Sequence, residues 1–370
     1  MDELASVRRT YRPDHALGLM IGGVPVALDT NAPRVAERLR EYFAPYAVPR
    51  IPDGRPPAGG LVIPADAPVV HLIQGEPVVE AARLRDVPRR LREQGVKEAF
   101  YDADGFRVVV KRRTGVTIYV AEPDHYIAGD LVRNFNQAVN LVMTVYAKAM
   151  LRRGYIMLHA SAIVGALDGV AFASASGFGK STVALALVER HQHLVTNDRL
   201  FVRASPADGA VEMVGVPKKP RVNPGTLLRI PSLSPLVTEE ESARYRVLTS
   251  EQLWALESKH DVDVDVLYGP GTTRLSGLLR AIFLLRWSPL DGGWNVRTLP
   301  PGDRAAALEP LLKNAGVYDL TPPPAPEQHL LLRRVADLVA VYDVRGRADV
   351  DRLADLVLER ALTRSPAGNV

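Results

Sequence analysis

An eight-residue run, SASGFGKS from Ser174 to Ser181, contains the residue types that bind phosphate groups. It fits the Walker A pattern, GxxxxGK followed by Ser or Thr, with a serine in place of the first glycine. Gly177 and Gly179 allow the backbone to turn its N–H groups toward phosphate oxygens, and Lys180 adds a positive charge. The hydroxyl of Ser181 is suited to a bound Mg²⁺ ion. The spacing therefore predicts a loop that binds the phosphates of a nucleotide.

The segments on either side of this loop decide between phosphate binding and a chance glycine turn. Residues 169–173 are rich in strand formers, and residues 181–190 predict an apolar helix packed on a sheet. A helix that begins at the end of the loop also directs the positive end of its dipole toward bound phosphate. This context favours phosphate binding, with Ser176, Phe178 and Thr182 completing the predicted nucleotide-binding set.

A phosphate loop of this kind needs an acidic residue from a neighbouring strand to hold the metal ion. An apolar run at residues 193–196 is followed directly by Asn197 and Asp198. Asp198 is the predicted Mg²⁺ ligand, together with Ser181. The alternative is that Asn197 and Asp198 only begin a turn, which both residue types favour.

Taken together, these residues resemble the kinase domain of HPr kinase/phosphorylase. That family has a histidine on the strand before the loop, then a Walker A loop, then a strand that ends in two adjacent aspartates. This chain has His159, the glycine loop, and then Asn197 and Asp198, in the same order and spacing. The later run GVPKKPRVNPG, residues 215–225, is similar to a signature of the HPr-kinase-related kinases of type B.

The resemblance implies an ATP-dependent kinase that transfers the γ-phosphoryl group to a hydroxyl, on a protein serine or on a small molecule. It implies that Lys180 and Ser181 bind the nucleotide phosphates and Mg²⁺, and that Asp198 holds the metal. His159 would lie beside the reacting hydroxyl, and Asn197 matches the aspartate that accepts the substrate proton. The family often assembles into oligomers, so the resemblance is also compatible with a homo-oligomer.

Asn197 departs from the family pattern because an amide cannot act as a base. Three outcomes stay open. Asp198 does both jobs with help from His159, or the transfer needs little base, or ATP binds without transfer. The last outcome gives the alternative function, an ATP-binding or ATP-hydrolysing regulatory switch. A non-catalytic protein that recognises a phosphorylated ligand is a further alternative.

A basic loop among prolines and glycines offers candidate cations for the transferring phosphoryl group. Lys218, Lys219 and Arg221 could all act in this way, and Arg221 is the first candidate because its planar guanidinium suits phosphate. The alternative is a solvated basic loop without a role in binding.

The elements that position these residues predict an α/β protein. A P-loop kinase domain of the HPr kinase type with a mixed sheet is expected at residues 129–370, preceded by a small α+β domain at residues 1–128. Residues 17–21 and 24–28 predict a hairpin that turns at two glycines. Residues 262–268 predict an edge strand, because Asp and Val alternate there.

Composition narrows the remaining classes of protein. The chain has 370 residues, 47% of them hydrophobic and 24% charged, which is typical of a globular protein. It has no cysteine, which excludes disulfides and cysteine-built zinc sites and suits the cytoplasm. A net charge of +4 is too weak to indicate nucleic acid as a partner. No apolar run approaches the roughly 20 residues of a membrane span, so no membrane association is expected.

Overall fold

The chain forms two compact units in a computed structural model. Unit 1 comprises Met1–Met150 and Asn314–Pro322, and unit 2 comprises Leu151–Lys313 and Pro323–Val370. Both combine helices with a sheet, so the predicted α/β class is confirmed. The predicted domain boundary at residues 128/129 stays a prediction. The structure describes residues 3–49, 62–88, 96–175, 177–249, 252, 253, 256, 258–287 and 293–362.

The described part of unit 1 contains one mixed sheet of nine strands. These are β1 His15–Ile21, β2 Val24–Thr30, β3 Ala47–Val48, β4 Val69–Gln74, β5 Arg85–Asp86, β6 Glu98–Ala103, β7 Phe106–Lys111, β8 Thr117–Ala121 and β9 His125–Gly129. Their order across the sheet is β3-β1-β2-β4-β9-β8-β7-β6-β5, and β4 is parallel to both of its neighbours. The helices that begin in this unit are α1 Glu3–Thr10, α2 Pro33–Tyr42 and α3 Phe135–Arg152.

The predicted hairpin of unit 1 is confirmed. β1 and β2 pair antiparallel, and the register brings Ile21 opposite Val24. Gly22 and Gly23 between them have φ values of 53° and 74°, the left-handed conformation that a two-residue hairpin turn requires. Glycine adopts this conformation without steric cost, and for that reason the sequence signal was sufficient.

Unit 2 is built on a larger mixed sheet. Its strands are β10 Ile156–Leu158, β11 Ala160–Val164, β12 Asp168–Ala173, β13 His193–Thr196, β14 Leu200–Ala204, β15 Val211–Gly215, β18 Ser276–Trp287, β19 Asn295–Thr298, β20 Leu312–Lys313 and β21 Ala340–Gly346. The order is β13-β11-β12-β18-β15-β14-β10-β20, with β21 beside β18 and β19 beside β21. A separate pair consists of β16 Arg221–Val222 and β17 His260–Asp261.

The described helices of unit 2 cover both faces of this sheet. They are α4 Lys180–Val188, α5 Pro224–Arg229, α6 Glu239–Arg246, α7 Val264–Tyr268, α8 Pro301–Leu308, α9 Ala325–Leu338 and α10 Val350–Val357. Short 3₁₀ and π segments lie at Ala44–Tyr46, Ala81–Arg83, Pro231–Leu236, Glu309–Leu311, Gly316–Tyr318 and Leu358–Leu362. Within the described ranges, every helix is too short or too polar to cross a lipid bilayer.

Strand β12 shows why the sequence around the glycine loop is so apolar. Val170 and Phe172 pack with the residues of α4 on one face of the sheet. Ala171 and Ala173 point to the other face and pack in the layer that contains α8 and α9. A strand that is covered on both faces has a continuous apolar sequence, as residues 169–173 do here. The loop that follows Ala173 is therefore anchored at the end of a fully buried strand.

Two strand connections in unit 2 are very short although they join distant positions in the sheet. β10 and β11 are separated by one residue, His159, and β13 and β14 by residues 197–199. In the sheet, four strands lie between β11 and β10, and five positions separate β13 from β14. The sheet must therefore curl until these strands become neighbours, which brings both connections to the same edge.

The predicted strand at residues 262–268 is wrong, because Val264–Tyr268 forms the short helix α7. The side chain of Asp263 caps this helix by accepting a hydrogen bond from the Val266 amide at 3.2 Å. An aspartate that satisfies a free N-terminal amide favours a helix start over a strand. Alternation of two residue types was therefore a misleading signal at this position.

Candidate functional site

The glycine loop connects β12 to α4 at the carboxyl end of the strand. Gly177 and Gly179 have φ values of 87° and 79°, and Gly179 is the residue that precedes the first turn of α4. A Cβ atom on Gly179 would lie 2.8 Å from Cζ3 of Trp287, so the close approach to this ring also requires glycine. Ser174 is not among the described non-glycine residues with positive φ, so the loop entry does not need a glycine. The predicted site residue Ser176 lies outside the described residues.

Lys180 is buried at the start of α4, with 7% of its surface exposed. Its Nζ donates hydrogen bonds to the carbonyl oxygens of Ala175 at 2.9 Å and Ser174 at 3.1 Å. These carbonyls belong to the loop itself, so the lysine side chain folds back onto the start of the loop. A phosphate oxygen could replace them as acceptor without moving the lysine backbone.

The charge state of this lysine is set by its surroundings. Burial lowers the pKa of Lys180 from 10.5 to about 8. Asp198 opposes this shift, whereas the positive charges of Lys313 and Lys259 add to it. Lys313 and Lys259 are therefore within electrostatic reach of Lys180. Such a concentration of positive charge favours the binding of a multiply charged anion.

The other predicted residues of the loop lie in the first turn of α4 or just before it. Ser181 and Thr182 are half-buried, and Thr182 Oγ1 lies 2.8 Å from Oγ1 of Thr226 in α5. Phe178 packs partly against the apolar cluster that contains α4. The Ser181 hydroxyl is thus at the N-terminus of the helix, where backbone N–H groups point toward bound anions.

Asp198 and His159 meet at the edge where the two short connections come together. His159 Nε2 lies 3.1 Å from Oδ1 of Asp198, and the His159 amide donates to the carbonyl of Leu311 at 2.8 Å. His159 is the one residue between β10 and β11, so its ring lies at the sheet edge. The two residues are therefore in direct contact although they are 39 positions apart in the sequence.

Asp198 is a permanent negative charge in this site. Partial burial raises the pKa of Asp198, but the hydrogen bond and charge of His159, and then the charges of Arg199 and Lys180, outweigh it. The net effect holds the pKa well below the usual range of an aspartate. The carboxylate is accessible, since 63% of the side chain is exposed. An ionised, accessible carboxylate is a suitable ligand for a divalent cation.

The connection that carries Asp198, residues 197–199, is held by two hydroxyl groups. Ser161 Oγ donates to the carbonyl of Asn197 at 2.5 Å, and Thr196 Oγ1 donates to the carbonyl of Arg199 at 2.9 Å. Both are buried in apolar strands, and neither was predicted to belong to the site. The available signal was their position in the sequence, since Thr196 is two residues before Asp198 and Ser161 is two residues after His159.

The side chain of Asn197 has a different environment from that of Asp198. Its Oδ1 is buried and has no hydrogen-bond partner among the described residues. The structure therefore brings Lys180, Asp198, His159 and Asn197 into one region of unit 2.

Arg221, the predicted clamp, makes an ion pair with an aspartate of another chain segment. Its Nε lies 3.0 Å from Oδ1 of Asp261, and Lys219 Nζ lies 2.6 Å from Oδ2 of Asp263. Both aspartates lie on the chain segment that begins at β17 and precedes α7. A role for Arg221 at the phosphoryl group stays a prediction.

The donor set of this site fits Mg²⁺. A hydroxyl from Ser181 and a carboxylate from Asp198 are hard oxygen ligands, which Mg²⁺ prefers, and it takes most of its remaining ligands from phosphates and water. No group of three or more His, Cys, Asp or Glu side chains in the described ranges could form a complete protein cage for a metal. A metal held jointly with a nucleotide is consistent with both observations.

Comparisons with known proteins add little to this site. No protein-family model and no curated protein matches the chain. Among solved structures, the Hpr(Ser) kinase/phosphatase from Coxiella burnetii aligns with 55% of this chain and 88% of that chain, at a TM-score of 0.28 and 12% sequence identity. A TM-score of this size supports no conclusion about fold or activity, so the family resemblance stays a prediction from the motifs.

Proposed function

We propose that unit 2 binds ATP with Mg²⁺ and transfers the γ-phosphoryl group to a hydroxyl, on a protein serine or on a small molecule. One observation carries the proposal. A buried lysine at the end of a glycine loop lies within electrostatic reach of an ionised carboxylate, Asp198, which is itself held by His159. A site that only grips phosphate needs the loop and the lysine, whereas transfer also needs a residue that can hold the metal.

The loop residues supply the phosphate-binding part. N–H groups around Gly177 and Gly179 and at the start of α4 donate to the phosphate oxygens. Lys180 exchanges its hydrogen bonds to the carbonyls of Ser174 and Ala175 for bonds to the phosphates. Because burial has lowered its pKa, a phosphate anion also restores the charged form of the lysine.

Ser181 and Asp198 would hold the Mg²⁺ ion. When bound, the ion would neutralise charge on the β- and γ-phosphates. Asp198 contributes a full negative charge at any physiological pH because its pKa is so low. His159 fixes the direction of the carboxylate through Oδ1, and Arg199 Nε lies 3.9 Å from Oδ2.

The low pKa of Asp198 also bears on the missing base. A carboxylate with so little affinity for a proton is a weak general base, and Asn197 cannot act as one. In the transfer, the bond from the γ-phosphorus to the ADP oxygen breaks and a bond to the acceptor oxygen forms, while the acceptor proton leaves to water. A loose transition state needs little help with that proton, so positioning and charge neutralisation supply the catalysis.

Asn197 also favours a second candidate function, an ATP-hydrolysing regulatory switch. With one carboxylate at the strand end, water is an acceptor as plausible chemically as an alcohol. The two functions differ in the fate of the γ-phosphoryl group, which reaches an acceptor in a kinase and appears as free phosphate in a switch.

The proposal is tested with γ-labelled ATP, the purified full-length chain, Mg²⁺ and an extract of the source cell. Label that reaches a protein band or a metabolite, and is lost in Lys180→Ala, is the expected result. Lys219→Ala serves as the matched control, since Asp263 already pairs with this lysine. Label found only in free phosphate would favour the switch, and no turnover with either acceptor would overturn the proposal.

A further inference from the structure

The loop that follows β15 is fixed against the strand that carries the acidic turn. A Cβ atom on Gly215 would lie 2.0 Å from the carbonyl oxygen of Val195, so the two backbones touch at this glycine. The amide of Val216 donates to Oγ1 of Thr196 at 3.3 Å. The beginning of the basic loop is thus attached beside the last residues of β13, next to residues 197–199.

The far end of the same loop is attached elsewhere. The carbonyl of Pro220 accepts a hydrogen bond from the Val262 amide at 2.8 Å, and Arg221 pairs in β-register with Asp261. The side chains of Lys219 and Arg221 form ion pairs with Asp263 and Asp261. Two of the three cations of the loop are therefore oriented toward the segment between β17 and α7.

Lys218 lies between these two attachments, two residues after Val216. It is half-buried, and Pro217 before it is buried, so the backbone at this point has little freedom. Lys219 and Arg221 are paired with aspartates, and Lys218 is the third cation of a loop that starts beside the acidic turn. Burial lowers the pKa of Lys218, and the charges that act on it are those of Arg199, Asp198, Arg221 and Asp261, so its ammonium group is within electrostatic reach of the acidic turn.

We propose that Lys218 contacts the transferring phosphoryl group, as a second cation in addition to Lys180. The inference rests on the proposed function and adds to it a residue that sequence reasoning ranked below Arg221. During transfer, negative charge lies on the three equatorial oxygens of the γ-phosphoryl group, beyond the reach of a lysine that binds the β/γ bridge alone. A cation fixed in place before the reaction stabilises that charge without reorganisation.

The experiment compares two ligands that differ only in a mimic of this group. MgADP alone and MgADP with aluminium fluoride, which copies the planar phosphoryl group, are titrated against the full-length chain by calorimetry. For Lys218→Ala we expect MgADP affinity within about twofold of wild type and a loss of about tenfold or more in the affinity gained from aluminium fluoride. The reference is the loss of about 10²–10³-fold in rate when one preorganised donor is removed.

Lys219→Ala is the matched control, because it removes the same charge from the adjacent position of the same loop. We expect both of its affinities to equal those of wild type. An unchanged MgADP affinity in Lys218→Ala shows that the variant is folded, so a selective loss cannot come from unfolding.

Two results would overturn the inference in different ways. If wild type gains affinity from aluminium fluoride and Lys218→Ala gains as much, Lys218 does not contact the phosphoryl group and the proposed function still holds. If wild type binds MgADP no better than Lys180→Ala, the nucleotide site itself is refuted, and the inference about Lys218 is refuted with it.

Discussion

The lowered pKa of Lys180 predicts that nucleotide affinity falls as the pH rises. The free protein holds this lysine with a pKa of about 8, and only the charged form binds phosphate well. Above that pH a growing fraction of the protein must take up a proton before it binds. Asp198, the acidic group that acts on this lysine, stays ionised at every pH of interest because its pKa is lowered. It therefore adds nothing to the pH dependence of nucleotide affinity.

The size of the effect follows from the pKa. The dissociation constant of MgADP should be about twofold higher at pH 8 than at pH 7, and about tenfold higher at pH 9, until the pKa of the lysine in the complex is reached. Stability changes in the opposite direction. A lysine whose pKa is lower in the folded chain than in the unfolded chain is a penalty at neutral pH, about 3 kcal/mol here, and this penalty is relieved between pH 8 and 10.5.

The assay is a titration with a fluorescent ADP analogue at intervals from pH 6.5 to 9.5, with thermal melts at each pH. Lys180→Arg is the control, since a guanidinium keeps its charge and should give a nearly flat profile. Any contribution from Lys218 appears in both proteins and cancels in the comparison. A flat wild-type profile, or the same fall in Lys180→Arg, would refute the reasoning about the buried lysine.

Three further predictions concern the backbone, the core and the support of the site. Gly179→Ala should abolish nucleotide binding and lower the free energy of unfolding by about 1–3 kcal/mol, because it places a side chain in the left-handed conformation and against an aromatic ring. Gly225→Ala is the control and should change neither quantity. If calorimetry gave the same affinity and stability for both variants, the reasoning would be contradicted. Asp343→Ala should lower the free energy of urea unfolding by about 1.5–3 kcal/mol, since this fully buried carboxylate pairs with three arginines. Asp351→Ala removes an exposed ion pair with Arg229 and should lower the free energy of unfolding by less than about 1 kcal/mol. A larger loss for Asp351→Ala than for Asp343→Ala would be inconsistent with burial as the cause. Ser161→Ala should cost about 1 kcal/mol and slow phosphoryl transfer by about 10–100-fold, and a normal rate would show that this hydroxyl does not position the acidic turn.

Sequence patterns correctly predicted the elements that are formed by residues close together in the sequence. The hairpin at Gly22 and Gly23 and the strand, loop and helix around Lys180 depend on residues close in sequence, and all four are present. The α7 helix shows the limit, because a single capping contact from Asp263 outweighed the alternation of residue types.

For contacts between residues far apart in the sequence, the candidate residues could be named from their types, but the contacts themselves could not be predicted. The contact of His159 with Asp198 depends on the pairing of β11 with β13, where Ala162 lies opposite Thr196 and the register shifts at the next residue. No spacing in the sequence encodes that pairing. The ion pairs of the basic loop could not be predicted for the same reason, because the aspartates that bind Lys219 and Arg221 are 40 or more positions away in the sequence.

The one-residue and three-residue connections at the edge of the curled sheet act as tethers of fixed length. A chain extends at most about 3.5 Å per residue, so Leu158 and Ala160 can never be more than about 7 Å apart. Insertions in surface loops elsewhere in unit 2 cost only a little closure entropy. One residue added at either tether would instead shift a strand by one position and turn its side chains to the wrong face. Over evolutionary time this protein can therefore change length in its surface loops, while the short tethers and the pairing of β11 with β13 together fix the separation of its histidine and its acid.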